Sequence, residues 1–205
     1  MKILIADDHA IVRKGIYQIV NSLEHVDTIE EAENGFEVLE KYEKSVFDLV
    51  ILDLSMPKKN GLDTLKEIIQ IDPKAKVLIL SVYAEEQYAI RSFNSGAYGY
   101  VTKNTAPTEI LNAIEQVLKG KKYVSPALAE RLVSLKSIEK PLHESLSDRE
   151  FQIMIMSTEW YSIAKIAEEL NISAKTVSTY RARILDKMNF KNFIQVMHYA
   201  IEHKL

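Results

Sequence analysis

The chain has 205 residues, a hydrophobic fraction of 47%, a formal net charge of -3 and no cysteine. This length is enough for one or two globular domains, and the absence of cysteine excludes disulfides, zinc–thiolate sites and thiol catalysis. No apolar stretch approaches the roughly 20 residues that span a bilayer, and the chain turns acidic too early for a signal peptide, so we expect a soluble cytoplasmic protein without a membrane partner.

Residues 1–120 alternate between short apolar runs and segments of helical periodicity. The apolar runs predict buried strands of a parallel sheet, and the segments between and after them predict helices. Pro107 suits the first turn of the last helix, and Gly120 suits its end. Five such units predict a doubly wound α/β domain with right-handed crossovers. The predicted strands lie near residues 2–6, 27–32, 48–52, 76–81 and 98–101.

Polar residues stand at the carboxyl ends of four predicted strands. Asp7 and Asp8 follow the first strand, Asp53 follows the third, Ser81 ends the fourth and Lys103 follows the fifth. Because parallel strands present these ends at one edge, the side chains are expected to converge. Three carboxylates repel one another unless a cation joins them, and oxygen ligands suit Mg²⁺. Each residue alone is more often a cap or a surface residue, but together they predict a pocket that accepts a phosphoryl group on an aspartate.

This set of strand-end residues, with a Met-Pro pair and a glycine in the loop after the third strand, resembles the receiver domain of two-component response regulators. The resemblance implies that Asp53 is the phosphoacceptor and that a sensor histidine kinase is the phosphoryl donor. It also implies that Asp7, Asp8 and Asp53 bind Mg²⁺ together with the backbone carbonyl of Ser55. The loop residues that complete the pattern are Met56, Pro57 and Gly61.

The same resemblance assigns roles in signalling to three further residues. Ser81 and Lys103 would contact phosphoryl oxygens, and Tyr100 would be the switch aromatic that turns inward on phosphorylation. Asn104 follows the lysine where many receivers have proline, so a cis peptide is not required in this loop. An aspartyl-phosphate phosphohydrolase would need a second aspartate where Ser55 stands. We therefore expect no enzyme beyond the domain's own phosphotransfer and slow autodephosphorylation.

Residues 121–145 interrupt the alternation and are predicted to be a linker after a receiver domain of residues 1–120. Ser125 and Pro126 are typical of a helix cap and a first turn, so a short helix is predicted over residues 127–135. Residues 136–145 contain Pro141 and are predicted to be flexible.

Residues 146–205 show helical periodicity without a strand pattern, which predicts a small all-α domain. Ser147 and Glu150 form the spacing of a capping box that opens its first helix. Two later helices are separated by a turn of about three residues, and the second of them is basic, as in a helix-turn-helix. The predicted helices begin at Ser147, run from about Ser162 to Leu170, from Ser173 to about Met188, and from about Asn192 to His203.

This segment resembles the four-helix LuxR/NarL-type output domain, so the whole chain resembles a NarL/FixJ-type response regulator. The resemblance implies binding of double-stranded DNA, with Ser178, Thr179 and Ala182 facing the bases. Lysine and arginine on the same helix can neutralise phosphates. The residues that match the output family are Leu146 to Glu150, Ile166 to Leu170, Ile172, Ser173, Thr176, Val177, Ile184, Lys187 and Met188. The predicted DNA-contacting residues are Lys175, Thr176, Ser178, Thr179, Arg181, Ala182, Arg183 and Lys187.

Several alternatives stay open from the sequence. Trp160 stands where the output family usually has glycine, and it could pack in the core, form an exposed hinge or contact the receiver. The apolar last helix could form a homodimer after phosphorylation, as the resemblance implies, or pack only on the first helix of its domain. A phosphotransfer or scaffold protein is the rival function, and the basic third helix argues against it.

Overall fold

The computed structural model describes residues 1–83, 85–126, 128–130, 141–159, 161–203 and 205. The chain divides into two compact units, Met1–Arg131 and Leu132–Leu205. The first unit is an α/β domain and the described part of the second contains no strand, as the sequence predicts.

The first unit is built on a five-stranded parallel sheet, whose strands lie side by side in the order β2 (Thr28–Ala32), β1 (Lys2–Ala6), β3 (Leu49–Leu52), β4 (Val77–Ser81) and β5 (Gly99–Thr102). Strands β3 and β4 are entirely buried, because helices cover both faces of a doubly wound sheet. Their continuous apolar sequences therefore place an apolar side chain against helices on either face. The edge strand β2 has a mixed pattern that leaves glutamates partly exposed. The helices of the first unit, in chain order between and after these strands, are α1 (Ala10–Asn21), α2 (Gly35–Lys44), α3 (Gly61–Ile71), α4 (Glu85–Asn94) and α5 (Pro107–Leu118).

The first residues of the predicted linker pack on the sheet of the first unit. Tyr123 is only 6% exposed, and its backbone amide donates to the carbonyl of Tyr98 at the free edge of β5. The hydroxyl of Ser125 accepts a hydrogen bond from the amide of Leu128, so this residue caps a helical turn, and it donates to the carboxylate of Glu85. Of the predicted linker helix, residues 127 and 131–135 lie outside the described residues.

The described part of the second unit contains four α-helices after a short 3-10 helix. The 3-10 helix, Leu142–Ser145, occupies residues that the sequence predicts to be flexible, and its His143 Nδ1 lies 2.9 Å from the hydroxyl of Tyr199. The helices are α6 (Asp148–Thr158), α7 (Ile163–Glu169), α8 (Ala174–Met188) and α9 (Phe193–Glu202).

Local hydrogen bonds set the ends of these helices. Ser147 and Glu150 form both bonds of the predicted capping box, and Ser173 accepts from the amide of Thr176 at the start of α8. Asn171 has a φ of 49°, and this left-handed residue makes the turn between α7 and α8. Trp160, for which three positions were considered, lies outside the described residues.

Candidate functional sites

The acidic pocket lies at the carboxyl edge of the sheet, where the sequence predicts it. Ala6 and Leu52 are partners in the register of β1 and β3, so the residues that follow them meet side by side. The amide of Asp53 donates to the carbonyl of Ala6 at 2.9 Å. One ligand atom from each of Asp7, Asp8, His9 and Asp53 lies within 4.8 Å of the others.

Lys103 joins two of these carboxylates from the end of β5. Its Nζ lies 2.6 Å from Asp7 Oδ2 and 2.8 Å from Asp53 Oδ2, with only 9% of the lysine side chain exposed. The amide of Lys103 donates to the carbonyl of Ser81, which holds the ends of β4 and β5 together. The negative charge of the two carboxylates outweighs burial and raises the pKa of Lys103, so the lysine is a permanent cation of the pocket.

Asp53 combines deep burial with an unused oxygen. The residue is 1% exposed, and no hydrogen-bond donor among the described residues satisfies its Oδ1. Burial raises the pKa of this carboxyl to about 6, with Lys103 acting to lower it and Asp7 to raise it. A buried acceptor without a donor is costly, so the pocket is suited to a group that brings positive charge or a new bond to Oδ1.

Gly61 permits the close packing of the loop after Asp53. Its amide donates to the carbonyl of Leu54 at 3.0 Å, and a Cβ at this position would lie 1.9 Å from the carbonyl oxygen of Asp53. Any larger residue would therefore displace the backbone of Asp53. Ser55 lies in the same loop, two residues after Asp53, and the role of its carbonyl stays a prediction.

Ser81 and Tyr100 are both fully buried next to the pocket. The amide of Tyr83 donates to Ser81 Oγ at 3.3 Å, and the hydroxyl of Tyr100 donates to the carbonyl of Tyr83 at 2.8 Å. Tyr100 thus already occupies an inward position, whereas the sequence interpretation assigns that position to the phosphorylated state. Asn104 follows Lys103 without a cis peptide, and none occurs elsewhere in the described chain.

Two residues at the pocket were missed by sequence reasoning. His9 places Nδ1 2.7 Å from Asp8 Oδ1, and its amide donates to Asp7 Oδ1. Arg13 is 7% exposed and donates to the carbonyl of Asp7 at 2.8 Å. The position of His9 directly after the aspartate pair was a usable signal. For Arg13, a helical turn away, the sequence contains no comparable signal.

In the second unit, α8 has one buried face and one face open to solvent. Val177, Ile184 and Met188 are buried, as expected for the helix that closes this small core. The hydroxyls of Ser178 and Thr179 donate to backbone carbonyls of the preceding turn. Of the predicted DNA-contacting residues, Thr176 and Arg181 are half-buried and the exposed ones are Lys175, Ser178, Thr179, Ala182, Arg183 and Lys187.

Two of the predicted cations on α8 have partners inside their own unit. The guanidinium of Arg181 lies 3.9 Å from the centre of the Phe193 ring. Lys187 donates to Glu150 Oε2 at 2.7 Å, and the carboxylate side chain is only 4% exposed. These two cations therefore contribute to packing in the free protein, which the sequence did not indicate. Arg183 stays exposed, with its guanidinium 5.8 Å from the centre of the Tyr180 ring.

The last helix, α9, uses only one face within its unit. Val196, Tyr199 and Ala200 are buried, so packing within the domain accounts for that face. On another face, Ile194 is 65% exposed and Ile201 is 74% exposed. The alternatives of intradomain packing and dimerisation are therefore compatible, because they use different faces.

Comparison with known proteins identifies the family of each unit. Sequence models match residues 3–115 as a response regulator receiver domain and residues 144–200 as the luxR family of bacterial regulatory proteins. The chain is 34% identical to the response regulator UvrY of Escherichia coli over 100% of this chain and 95% of that protein. It is 33% identical to the response regulator GacA of Pseudomonas aeruginosa over 99% of this chain and 96% of that protein.

Among solved structures, RcsB of Salmonella enterica serovar Typhimurium bound to promoter P1flhDC with the phosphomimetic BeF3⁻ has a TM-score of 0.62. It is 26% identical, and the match covers 100% of this chain and 99% of RcsB. The fold and the pocket define a receiver joined to a helix-turn-helix domain. The chain belongs to the NarL/FixJ family of response regulators, with a LuxR-type DNA-binding domain. No helix in the described part of the chain is long and apolar enough to cross a membrane.

Proposed function

We propose that Asp53 accepts a phosphoryl group from a sensor histidine kinase, and that the modified protein regulates transcription as a homodimer bound to double-stranded DNA. The observation that carries the first step is the unsatisfied Oδ1 of Asp53 in a buried pocket beside Lys103. A cytoplasmic location is part of the proposal, because the family acts on DNA.

The carboxylates of the pocket fit Mg²⁺, because hard oxygen ligands and an unsatisfied buried carboxylate oxygen suit a small divalent cation. Asp7, Asp8, Asp53 and the carbonyl of Ser55 would hold it. The bound cation would supply positive charge for the phosphoryl oxygens.

The residues of the chain itself explain the transfer. Because the pKa of Asp53 is about 6, its carboxylate is largely ionised at pH 7 and can act as a nucleophile. The new bond forms between an Asp53 oxygen and phosphorus, the bond from phosphorus to the donor imidazole breaks, and the imidazole keeps the electron pair and takes up a proton. Lys103 and the hydroxyl of Ser81 then contact the phosphoryl oxygens. No further metabolic reaction is proposed.

The signal would reach the output domain through the contacts around Tyr83. The Ser81 hydroxyl accepts from Tyr83, and Tyr83 in turn accepts from Tyr100. A phosphoryl group that draws the Ser81 hydroxyl toward itself would lengthen the first of these bonds and so disturb the start of the β4–α4 loop. The exposed Ile194 and Ile201 of α9 would form the dimer contact, and the predicted residues of α8 would contact DNA.

Intact-mass measurement with acetyl phosphate and Mg²⁺ tests the first step. Wild type should gain one phosphoryl group, Asp53→Asn should gain none, and Asp8→Asn should be labelled weakly. Glu43→Gln, which removes an exposed carboxylate on α2, is the matched control and should be labelled as wild type. Full labelling of Asp53→Asn would contradict the assignment.

A DNA titration tests the second step. Phosphorylated wild type should bind its cognate duplex more tightly than the unphosphorylated protein, and Lys103→Ala should lose most of this gain. An equal gain in both proteins would remove Lys103 from the coupling. Absence of any DNA binding by folded wild type would instead favour the scaffold alternative.

A further inference from the structure

Arg13 makes three hydrogen bonds at the edge of the acidic pocket, and it belongs to none of the roles assigned so far. Its Nη1 donates to the carbonyl of Asp7 at 2.8 Å, its Nε to Glu31 Oε2 at 2.8 Å, and its Nη2 to Glu33 Oε1 at 2.7 Å. The residue is 7% exposed. A guanidinium in this position is satisfied on every nitrogen and is therefore fixed in orientation.

These bonds join the pocket to a different part of the sheet. Glu31 belongs to the edge strand β2 and Glu33 directly follows it, whereas Arg13 lies on α1. Both glutamate side chains are accessible to solvent, and their exposed fractions are 42% and 64%. Their carboxylates hold two nitrogens of Arg13, and the third nitrogen is directed at the backbone of Asp7.

The carbonyl of Asp7 belongs to the peptide that connects Asp7 to Asp8. On the other side of Asp7, its amide donates to the carbonyl of Ala32 at 3.1 Å. Both peptides that flank Asp7 are thus held by hydrogen bonds, one by the sheet and one by Arg13. The second peptide leads directly from Asp7 into Asp8, so the bond from Arg13 acts on the link between the two carboxylate residues.

We propose that Arg13 is a positioning residue that sets the affinity of the pocket for a divalent cation by fixing the Asp7–Asp8 peptide. The inference rests on the proposed function, because it concerns the same cation. Partners behind metal ligands commonly change metal affinity by about 10- to 100-fold when they are removed.

If the charge of Arg13 were its only contribution, removing it would strengthen the binding of a divalent cation. Removing the positive charge of Arg13 leaves Glu31 and Glu33 without this cation, which makes the region more negative and favours binding of a cation. Positioning predicts weaker binding, because the cation must then order the peptide itself. The direction of the change therefore separates the two effects.

The experiment measures Mg²⁺ affinity of the full chain by isothermal titration calorimetry at fixed ionic strength, with folding checked by circular dichroism. Arg13→Gln should bind Mg²⁺ about 10-fold more weakly than wild type. Arg13→Lys keeps the charge but cannot reach all three acceptors, so its affinity for Mg²⁺ should lie between those of wild type and Arg13→Gln. Lys14→Gln is the matched control, because it removes an exposed charge next to Arg13 and should bind as wild type.

The Mg²⁺ dependence of labelling by acetyl phosphate provides a second measurement. For Arg13→Gln, the Mg²⁺ concentration at half-maximal labelling should rise about 10-fold, with the maximum preserved at saturating Mg²⁺. A purely structural defect would lower the maximum and leave the midpoint in place. If Arg13→Gln does not fold, Arg13→Lys decides the matter by the same two measurements.

Unchanged or tighter Mg²⁺ binding by folded Arg13→Gln would overturn the inference, as would an unchanged midpoint in Arg13→Lys where only that variant folds. If wild type itself neither binds Mg²⁺ nor is labelled, the proposed function fails. If wild type does both and the Arg13 variants match it, only the role of Arg13 fails.

Discussion

Asp53 in the first unit and Glu150 in the second are both buried carboxylates with a lysine partner, yet their pKa values move in opposite directions. Burial and the negative charge of Asp7 together raise the pKa of Asp53 to about 6. Lys103 acts to lower this pKa, but its charge is shared with Asp7. Burial also raises the pKa of Glu150, but hydrogen bonds from Lys187 and Ser147 outweigh it and the net pKa is lowered.

The difference lies in how completely each carboxylate is satisfied. Glu150 accepts from the amide of Ser147 and from Lys187, so it stabilises the start of α6 and ties it to α8. Asp53 keeps one oxygen without a donor among the described residues. Glu150 thus accepts two hydrogen bonds on Oε2 and has no buried unsatisfied oxygen, whereas Asp53 accepts from Lys103 on Oδ2 and keeps a buried Oδ1 without a donor among the described residues.

The largest expected effect on stability comes from removing Lys103, the lysine that pairs with Asp53 and Asp7. Lys103→Met leaves two carboxylates buried without their cation and should lower the free energy of unfolding by about 3–5 kcal/mol in the absence of divalent cations. Urea denaturation in EDTA measures this loss. Addition of Mg²⁺ should recover part of it, and a loss below about 1 kcal/mol would show that the pair is not buried as described.

The next effect depends on pH. The ordinary pKa of Asp53 is 3.8 and the folded value is about 6, so its ionisation at pH 7 costs about 3 kcal/mol. The stability that protonation provides is present below about pH 4 and is lost as pH rises through about 6.

Asp53→Asn should therefore exceed wild type in free energy of unfolding at pH 7, by up to about 3 kcal/mol without divalent cations, and match it near pH 4. Paired urea titrations at both pH values give this difference. An excess that is equal at the two pH values would contradict the raised pKa.

Replacing Glu150 should change the free energy of unfolding in the opposite direction from Asp53→Asn. Glu150→Gln removes the negative charge that pairs with Lys187 and replaces one carboxylate oxygen by an amide nitrogen, and it should lower the free energy of unfolding by about 1–2 kcal/mol at pH 7. Because the pKa of Glu150 is lowered, this stabilisation is present above the ordinary glutamate pKa and is lost as pH falls through the folded value. Thermal unfolding at pH 7 and below pH 4 tests it, with the exposed Glu202→Gln as control.

The smallest effect on stability is expected for the exposed cation of α8. Arg183→Ala should change the free energy of unfolding by less than about 0.5 kcal/mol. If Arg183 contacts a DNA phosphate, the variant should flatten the dependence of log affinity on log salt concentration by about one unit.

Lys187→Ala should lose both stability and DNA affinity, because Lys187 also pairs with Glu150. Fluorescence anisotropy with cognate and random duplexes at several salt concentrations separates the two residues. If Arg183→Ala binds both duplexes with the wild-type slope, this arginine does not contact the backbone.

Much of the fold and of the pocket was predictable because it depends on local or strongly repeated patterns. Apolar runs followed by Asp7, Asp53 and Lys103 fix which residues reach the carboxyl edge, since the edge of a parallel sheet collects strand ends whatever the details of packing. The caps at Ser147 and Ser173 were predictable because their partners lie three residues away.

Other features depended on tertiary structure. Arg13 reaches Glu33, Lys187 reaches Glu150, and their partners lie 20 and 37 residues away in sequence. Charged residues of this kind are ordinarily exposed, and only the packing of the tertiary structure buries one member of each pair, Arg13 on α1 and Glu150 on α6. The inward position of Tyr100 has the same origin, because its hydroxyl donates to the carbonyl of Tyr83, just after the end of the neighbouring strand β4.

The sequence alone therefore determined which elements form and which side chains meet at the sheet edge, since period and spacing encode these directly. The tertiary structure decided which charges are satisfied and which oxygen of Asp53 is left without a donor among the described residues, because that depends on partners brought together only by packing.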